Sequence, residues 1–286
     1  MKKPQPATTT AAGLRPVLFG LWRKHKDEGM LPTNGRFLYY ELVSMGLIVK
    51  GGSIDGKKGR RSDQNMIEAL TFLRKTGDIP WTDIVDETRQ LTRWNVHDSI
   101  ADAIEDAWET ATLNFWAPDP PPMILCESRS LAGVLEPLAR EYQVPIGSTN
   151  GQAAGYLHNE VAPALVPEQV VLYLGDLDLS GGHIENNTHK VLEEIVGPLK
   201  WNRIAVTEEQ VKTYKLTVIQ KYDARDKKTH PAVETEALGQ PRIIALLRAR
   251  LEELMPEARR RKVLERQERE RRTIGRKMGF RKGEKS

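Results

Sequence analysis

Three carboxylates stand where apolar segments end, and that placement limits what they can do. Residues 123–127 read MILCE, four apolar residues and then Glu127. Residues 170–178 read VVLYLGDLD, an apolar run closed by Asp176 and Asp178. In open α/β sheets the functional groups gather at the carboxyl ends of the strands. Two aspartates two residues apart on an extended segment share a face. Glu127 joins them if its strand lies beside theirs. Three converging carboxylates, with no cysteine or histidine cluster, favour a hard cation, Mg²⁺ first. Such an ion offsets the repulsion between the acids and stabilises charge at a phosphoryl centre, so the chemistry expected is on phosphodiesters. An acidic pair alone is a weak signal, because strand-end acids often only cap a helix or solvate a loop. The strength lies in the repeated pattern of apolar run then acid, and in the Ser180-Gly181-Gly182 that follows.

A second group is Tyr39-Tyr40 in GRFLYYELV. A tyrosine can attack a phosphodiester and form a covalent phosphotyrosine link. It needs a nearby cation, and Arg36 lies four residues before Tyr40, on the same face of a helix. From the residues alone, packing of both tyrosines in an amphipathic core is the simpler reading. The loop Gly51–Arg61 has a Gly/Lys mix but lacks G-x-x-x-x-G-K-[ST], so no nucleotide-binding loop is expected. Lys57, Lys58, Arg60 and Arg61 in that loop are candidate contacts to DNA backbone, with a solvated turn as the alternative. His183 reads as a polar loop residue and Cys126 as strand packing. Glu234 and Glu236 either support the metal site from afar or cap a helix.

The elements that must hold these groups follow from periodicity and breakers. Residues 1–12 are low-complexity and expected to be disordered. A helix is expected over Leu14–Glu28 with Leu18, Phe19 and Trp22 inward. A second follows Pro32-Thr33-Asn34-Gly35, with Phe37, Tyr40, Leu42 and Met45 as core contacts and Gly46 as its stop. A third runs from about Ser62 to Thr76. Three short helices and a basic loop suggest a winged-helix module over 13–90. Residues 97–116 read as a helix inside a linker, 91–122, that ends in the proline hinge Pro120-Pro121-Pro122. Beyond it, strands at 123–127, 144–148, 170–178 and 201–206 alternate with helices at 129–141, 151–162 and 185–196, and 236–255 reads as a final helix. That is the rhythm of a mostly parallel sheet covered on both faces. The fold class expected is therefore α/β. The stretch 256–286 is almost wholly charged and reads as an exposed helix or a disordered arm.

Charge is segregated along the 286 residues. Residues 1–61 carry a net +8, 62–256 carry −12 and 257–286 carry +8. Basic ends suit phosphates, with salt-sensitive affinity. The acidic middle would repel nucleic acid unless cations sit in it. One cysteine excludes an intrachain disulfide framework and a multi-cysteine zinc site. No apolar run is long enough to span a bilayer, and the N-terminus lacks a signal-peptide core, so a cytoplasmic location, nucleoid-associated or in a host cytoplasm, is expected.

Taken together, ILCESRSLAGVL and LYLGDLDLSG resemble a TOPRIM domain. More narrowly they resemble the version in the A subunit of type IIB DNA topoisomerases (topoisomerase VI) and the related meiotic double-strand-break protein. The family's metal-binding glutamate falls on Glu127, its D-x-D on Asp176 and Asp178, and its following glycine on Gly181. Leu179 replaces the usual proline. RIAVTEEQVKTYKL, KYDARDKK and AVETEALG are similar to that subunit's C-terminal part. The family's Arg-x-x-Tyr-Tyr motif matches Arg36 to Tyr40, with Phe37 departing from a frequent acidic residue. The resemblance covers roughly residues 30–255 and is closest to the reduced, stand-alone forms found on mobile elements. It implies a winged-helix module (13–90), a TOPRIM domain (123–255) and a basic arm (256–286). It implies Tyr40 as nucleophile, Arg36 as its supporting cation, and Mg²⁺ on Glu127, Asp176 and Asp178. It also implies cleavage of double-stranded DNA by a homodimer in which each tyrosine works with the metal site of the opposite subunit, and a separate ATPase B-type subunit as a further partner. Two other classes stay open: a TOPRIM nuclease that uses water, and a non-catalytic DNA-binding protein.

Overall fold

Helix α1 (Ala11–Asp27) begins as soon as Thr10 can cap it, its hydroxyl accepting the Gly13 N–H at 3.2 Å. The computed structural model describes residues 10–48, 63–85, 94–149, 154–223 and 227–280. The helix therefore starts inside the segment expected to be disordered. Its buried stripe is Leu14, Leu18, Trp22 and His25, while Phe19 packs at the edge. Strand β1 (Thr33–Asn34) leads into α2 (Gly35–Ser44), capped by the Asn34 side chain, which accepts the Phe37 N–H at 2.9 Å. Phe37 and Leu42 are buried as expected, but Met45 is 54% exposed and Leu38 takes the inward position instead. At Gly46 the backbone turns left-handed (φ +70°), which ends the helix. Helix α3 (Gln64–Lys75) packs on α1, and β2 (Ile84–Val85) pairs parallel with β1. The basic loop with Lys57, Lys58, Arg60 and Arg61 lies outside the described residues.

Helix α2 is the joint of the molecule. Leu38 and Leu42 belong to the apolar cluster formed with α1 and α3. Phe37 belongs to the cluster of the main sheet. The Asn34 amide also donates to the Ser130 carbonyl at 3.2 Å. With both flanks buried, α2 has little freedom to rotate, and Arg36 and Tyr40 share one of its remaining faces.

Helix α4 (Ile100–Thr110) is shorter than expected, because Phe115 and Trp116 leave the helix and enter the sheet core. The sheet itself has four parallel strands: β3 (Met123–Cys126), β4 (Ile146–Ser148), β5 (Val170–Leu174) and β6 (Lys200–Ala205). Their order is β4-β3-β5-β6. Helix α5 (Arg129–Glu141) connects β3 to β4, and a short turn of α6 (Ala154–Tyr156) continues into irregular helix up to Ala164. Helix α7 (Leu179–Val196) connects β5 to β6. It starts six residues before the expected position, since Asp178 caps it and Ser180-Gly181-Gly182 form its first turn. Ile124, Cys126, Leu172 and Leu174 face α5, while Met123, Leu125, Val171 and Tyr173 face α7. Both faces are covered, which is why these strands read as unbroken apolar runs. The chain is α/β.

Helix α8 (Glu208–Tyr214) precedes an antiparallel hairpin, β7 (Ile219–Asp223) and β8 (Lys228–Ala232). Directly after it, Val233 bridges Leu177 with hydrogen bonds of 2.9 and 3.0 Å. The expected helix 236–255 is broken in two. A short 3-10 turn covers Thr235–Leu238, Gly239 has φ +80°, and α9 (Gln240–Leu254) follows. Helix α10 (Glu257–Met278) is docked rather than free. Arg271 donates to the Ala111 carbonyl at 2.6 Å, Trp108 Nε1 donates to the Arg271 carbonyl at 2.8 Å, and Arg260 pairs with Glu141 at 2.9 Å. Among the described residues no helix is long and apolar enough to cross a membrane.

Candidate active site

The order β4-β3-β5-β6 means that the chain leaves β3 toward one edge of the sheet and returns to extend it from β5 toward the other. The crevice between β3 and β5 is therefore a topological switch point, the usual ligand position in an open parallel sheet. Glu127 ends β3 there, and its N–H donates to the Leu174 carbonyl at 2.8 Å, continuing the ladder to β5. Its Oε2 accepts the Asp176 N–H at 2.9 Å. Two glycines leave room for that carboxylate. A Cβ at Gly175 would stand 3.0 Å, and one at Gly181 3.3 Å, from Glu127 Oε2. Burial, then the charge of Asp176, pushes the Glu127 carboxyl above its ordinary value.

Asp176 and Asp178 lie on either side of Leu177, which the bridge to Val233 holds extended. Asp176 Oδ1 accepts from the Thr235 N–H at 2.9 Å and the Thr235 hydroxyl at 3.1 Å. Asp178 does two jobs. Its Oδ1 caps α7 by accepting the Gly181 N–H at 2.7 Å, and its Oδ2 accepts from Lys221 Nζ at 2.7 Å. Burial raises the Asp178 carboxyl, but Lys221 and the cap outweigh it and hold it below its ordinary value. Lys221 Nζ also lies 3.8 Å from Asp176 and 4.0 Å from Glu234. Arg203 of β6 donates to the carbonyls of Gly175 and Asp176, each at 2.8 Å, and pairs with Glu185, so the strand-end turn is held from behind.

Helix α2 delivers the second group to the same place. Arg36 Nη2 donates to Glu234 Oε2 at 3.0 Å, and Arg36 Nε lies 3.2 Å from Glu236 Oε1. Tyr40 donates its hydroxyl hydrogen to Glu234 Oε2 in a short hydrogen bond. Tyr39 meets Tyr40 edge-on but packs against the α1–α3 cluster. The Tyr40 hydroxyl is thus bonded at the acids. Burial, reinforced by Glu234, raises the Tyr40 phenol well above its ordinary value, so it rests protonated. Burial lowers the Arg36 value, but Glu236, Glu234 and Asp176 raise it further, and the guanidinium stays charged.

Arg36, Glu127, Asp176, Thr235 and Glu236 line a cavity of about 240 Å³. Asp178 lines the neighbouring apolar groove instead, beside α8 and the hairpin. Glu236 is 1% exposed, and neither of its carboxylate oxygens accepts a hydrogen bond from the described residues. Arg36 Nε is close to it but not aligned. Burial pushes Glu236 up to about 7, with Arg36 opposing and Asp176 adding to the rise.

That shift has a sign in stability. The unfolded carboxyl titrates near 4.5 and the folded one near 7, so the folded state holds the proton longer. Stability should fall as pH rises from about 4.5 to 7 and level off above, by roughly 3 kcal/mol. Glu236→Gln should remove this component. Urea unfolding at pH 5 and pH 8 checks it: the gap between variant and parent is expected to widen, in the variant's favour, at the higher pH.

All five carboxylate, arginine and tyrosine positions picked from the sequence meet at one end of the sheet. Sequence reasoning missed Lys221, Arg203 and Thr235; of Glu234 and Glu236, expected as distant support for the metal site or as helix caps, Glu234 takes the N-cap position of the 3-10 turn without a side-chain cap bond, and both pair with Arg36. His183 is an exposed residue of α7, not of a loop. Cys126 is fully buried, and burial raises its thiol, so it is packing as expected. Among the described residues no three His, Cys, Asp or Glu side chains close around one point as a metal shell. Comparison with known proteins gives no relative: no family model, no curated protein and no solved structure matches the chain.

Proposed function

We propose that this chain cleaves double-stranded DNA by tyrosine transesterification with the help of Mg²⁺, in the manner of a topoisomerase VI A subunit. The observation that carries the reading is that Tyr40 and Arg36 both bond Glu234, while Arg36 shares a cavity with Glu127, Asp176 and Glu236. In this reading the helices α1–α3 form the winged-helix module, and the parallel sheet with its acid-ended strands is the TOPRIM domain.

The donor set fits a divalent ion. Glu127 and Asp176 share a cavity with a buried Glu236 whose oxygens accept no hydrogen bond from the described residues, and the neighbouring Asp178 already holds a cation, the Lys221 ammonium. Mg²⁺ keeps several waters and needs only one or two protein carboxylates plus phosphate oxygens, so a closed protein shell is not required. When bound, the ion supplies positive charge at the phosphoryl oxygens. Glu127, Asp176 and Asp178 would hold it, Arg36 would neutralise the attacked phosphate, and Tyr40 would attack. Lys57, Lys58, Arg60 and Arg61 would meet the DNA backbone. A homodimer and a separate ATPase subunit belong to the same reading.

Hydrolysis by water is the second reading, favoured by one observation: the Tyr40 phenol rests protonated and is a weak nucleophile until its proton leaves. Incubation with supercoiled DNA and Mg²⁺, stopped with detergent, separates the two. Protein-linked breaks are expected from the parent chain, absent with a chelator and in Glu127→Ala. Breaks with protein-free ends would favour water, and DNA binding without breaks under any divalent metal would leave a binding protein.

A further inference from the structure

We propose that Lys221 is a built-in occupant of the aspartate site, a cation that has to give way before a divalent ion can take the same oxygens. This role rests on reading Asp176 and Asp178 as metal ligands and is independent of Tyr40.

Three acids divide their oxygens in the same way, one held by donors elsewhere in the chain and the other turned to a single ammonium. Asp176 Oδ1 accepts from the Thr235 N–H and hydroxyl, and Asp178 Oδ1 accepts from the Gly181 N–H. Both Oδ2 atoms face Lys221 Nζ, that of Asp176 at 3.8 Å and that of Asp178 at 2.7 Å. Glu234 Oε2 accepts from Arg36 at 3.0 Å, and its Oε1 lies 4.0 Å from the same ammonium. Carboxylate oxygens gathered around one positive charge are the donors that a hard divalent cation takes.

Lys221 reaches them from β7, a strand of the two-stranded hairpin, so the occupant comes from an element outside the parallel sheet. Its side chain is 44% exposed, and the ammonium can swing into water without opening the core. While in place it offsets the repulsion among the acids. Held 2.7 Å from Asp178 Oδ2, it stands close to where a metal on that oxygen would stand, and two such charges repel. Metal binding and the docking of Lys221 are therefore linked with a negative sign. Linkage is reciprocal: the factor that Lys221 takes from metal affinity is the factor that the metal takes from Lys221 docking.

Calorimetry with Mn²⁺ on the full chain reads one side of this linkage. Lys221→Met should bind Mn²⁺ at least about fivefold more tightly than the parent, the low end of ordinary coupling. Lys221→Arg, which keeps the charge, should show no such gain. Weaker or unchanged binding by Lys221→Met, or the same gain in Lys221→Arg, overturns the proposal. The other side is read on the parent chain with no substitution. Acetylation of Lys221 by acetic anhydride, followed by peptide mass spectrometry, should speed up by a similar factor when Mn²⁺ is saturating, with the exposed Lys190 as internal reference. An unchanged or slower rate relative to Lys190 overturns it as well. Absence of Mn²⁺ binding from both the parent and Lys221→Met overturns the metal reading and the proposal with it.

Discussion

Tyr40→Phe is expected to reduce covalent capture of DNA by about 10⁴ or more, the scale seen when a nucleophile is deleted. Tyr39→Phe, one residue away, is expected to leave it nearly unchanged. The contrast comes from α2. Tyr40 turns its hydroxyl to Glu234, whereas the Tyr39 ring packs on the cluster of Leu14, Leu18 and Leu38. Loss of one hydrogen bond at Tyr40 costs about 1 kcal/mol, too little to unfold the chain. Arg36 still donates to the same carboxylate oxygen. Thermal unfolding beside the capture assay separates chemistry from folding. Equal loss in both tyrosine variants would contradict the assignment.

Gly181→Ala is expected to disable the acid site, and Gly182→Ala is not. A Cβ at Gly181 would stand 2.4 Å from the Asp176 carbonyl oxygen and 3.3 Å from Glu127 Oε2. The carbonyl cannot swing aside like a flexible side chain, because Arg203 donates to it at 2.8 Å. The segment bearing Asp176 and Asp178 has to move. Forced overpacking of this kind costs about 1–3 kcal/mol. Displacing the groups that orient metal ligands typically lowers metal affinity by about 10–100-fold. At Gly182 nothing stands within 4 Å of an added Cβ. There the gain in helix propensity stabilises by roughly 0.5–1 kcal/mol. Mn²⁺ binding by calorimetry and urea unfolding on the two variants read both halves. Similar affinities for both would show that Gly181 is not what keeps the crevice open.

This glycine pair also shows what a sequence can and cannot reveal. Glu127, Asp176 and Asp178 were legible because each closes an apolar run, and runs buried on both faces carry that signature without any tertiary information. Arg36 and Tyr40 were legible as neighbours by their helical spacing. That the two sets meet was not legible. It depends on Phe37 entering one core while Leu38 and Leu42 enter another. Lys221 sits on a hairpin strand with no marked pattern, and Glu234–Glu236 reach the crevice only because Val233 bridges Leu177. Such contacts join residues more than forty positions apart, and local periodicity carries no trace of them. Helix α10 is the largely exposed helix that was one of its two expected forms, but its docking was not legible. Its composition is that of a solvated helix, yet it is tied down by arginines bonding backbone carbonyls and by Trp108, interactions that a hydrophobic pattern does not register.

The most direct test is to find the atom that carries DNA. The parent chain is incubated with Mg²⁺ and duplex DNA, denatured, digested with nuclease and protease, and the nucleotide-bearing peptide is sequenced by mass spectrometry. A metal-dependent phosphodiester on Tyr40 is the predicted result. Cleaved DNA with protein-free ends, or a link to any other residue, would contradict it.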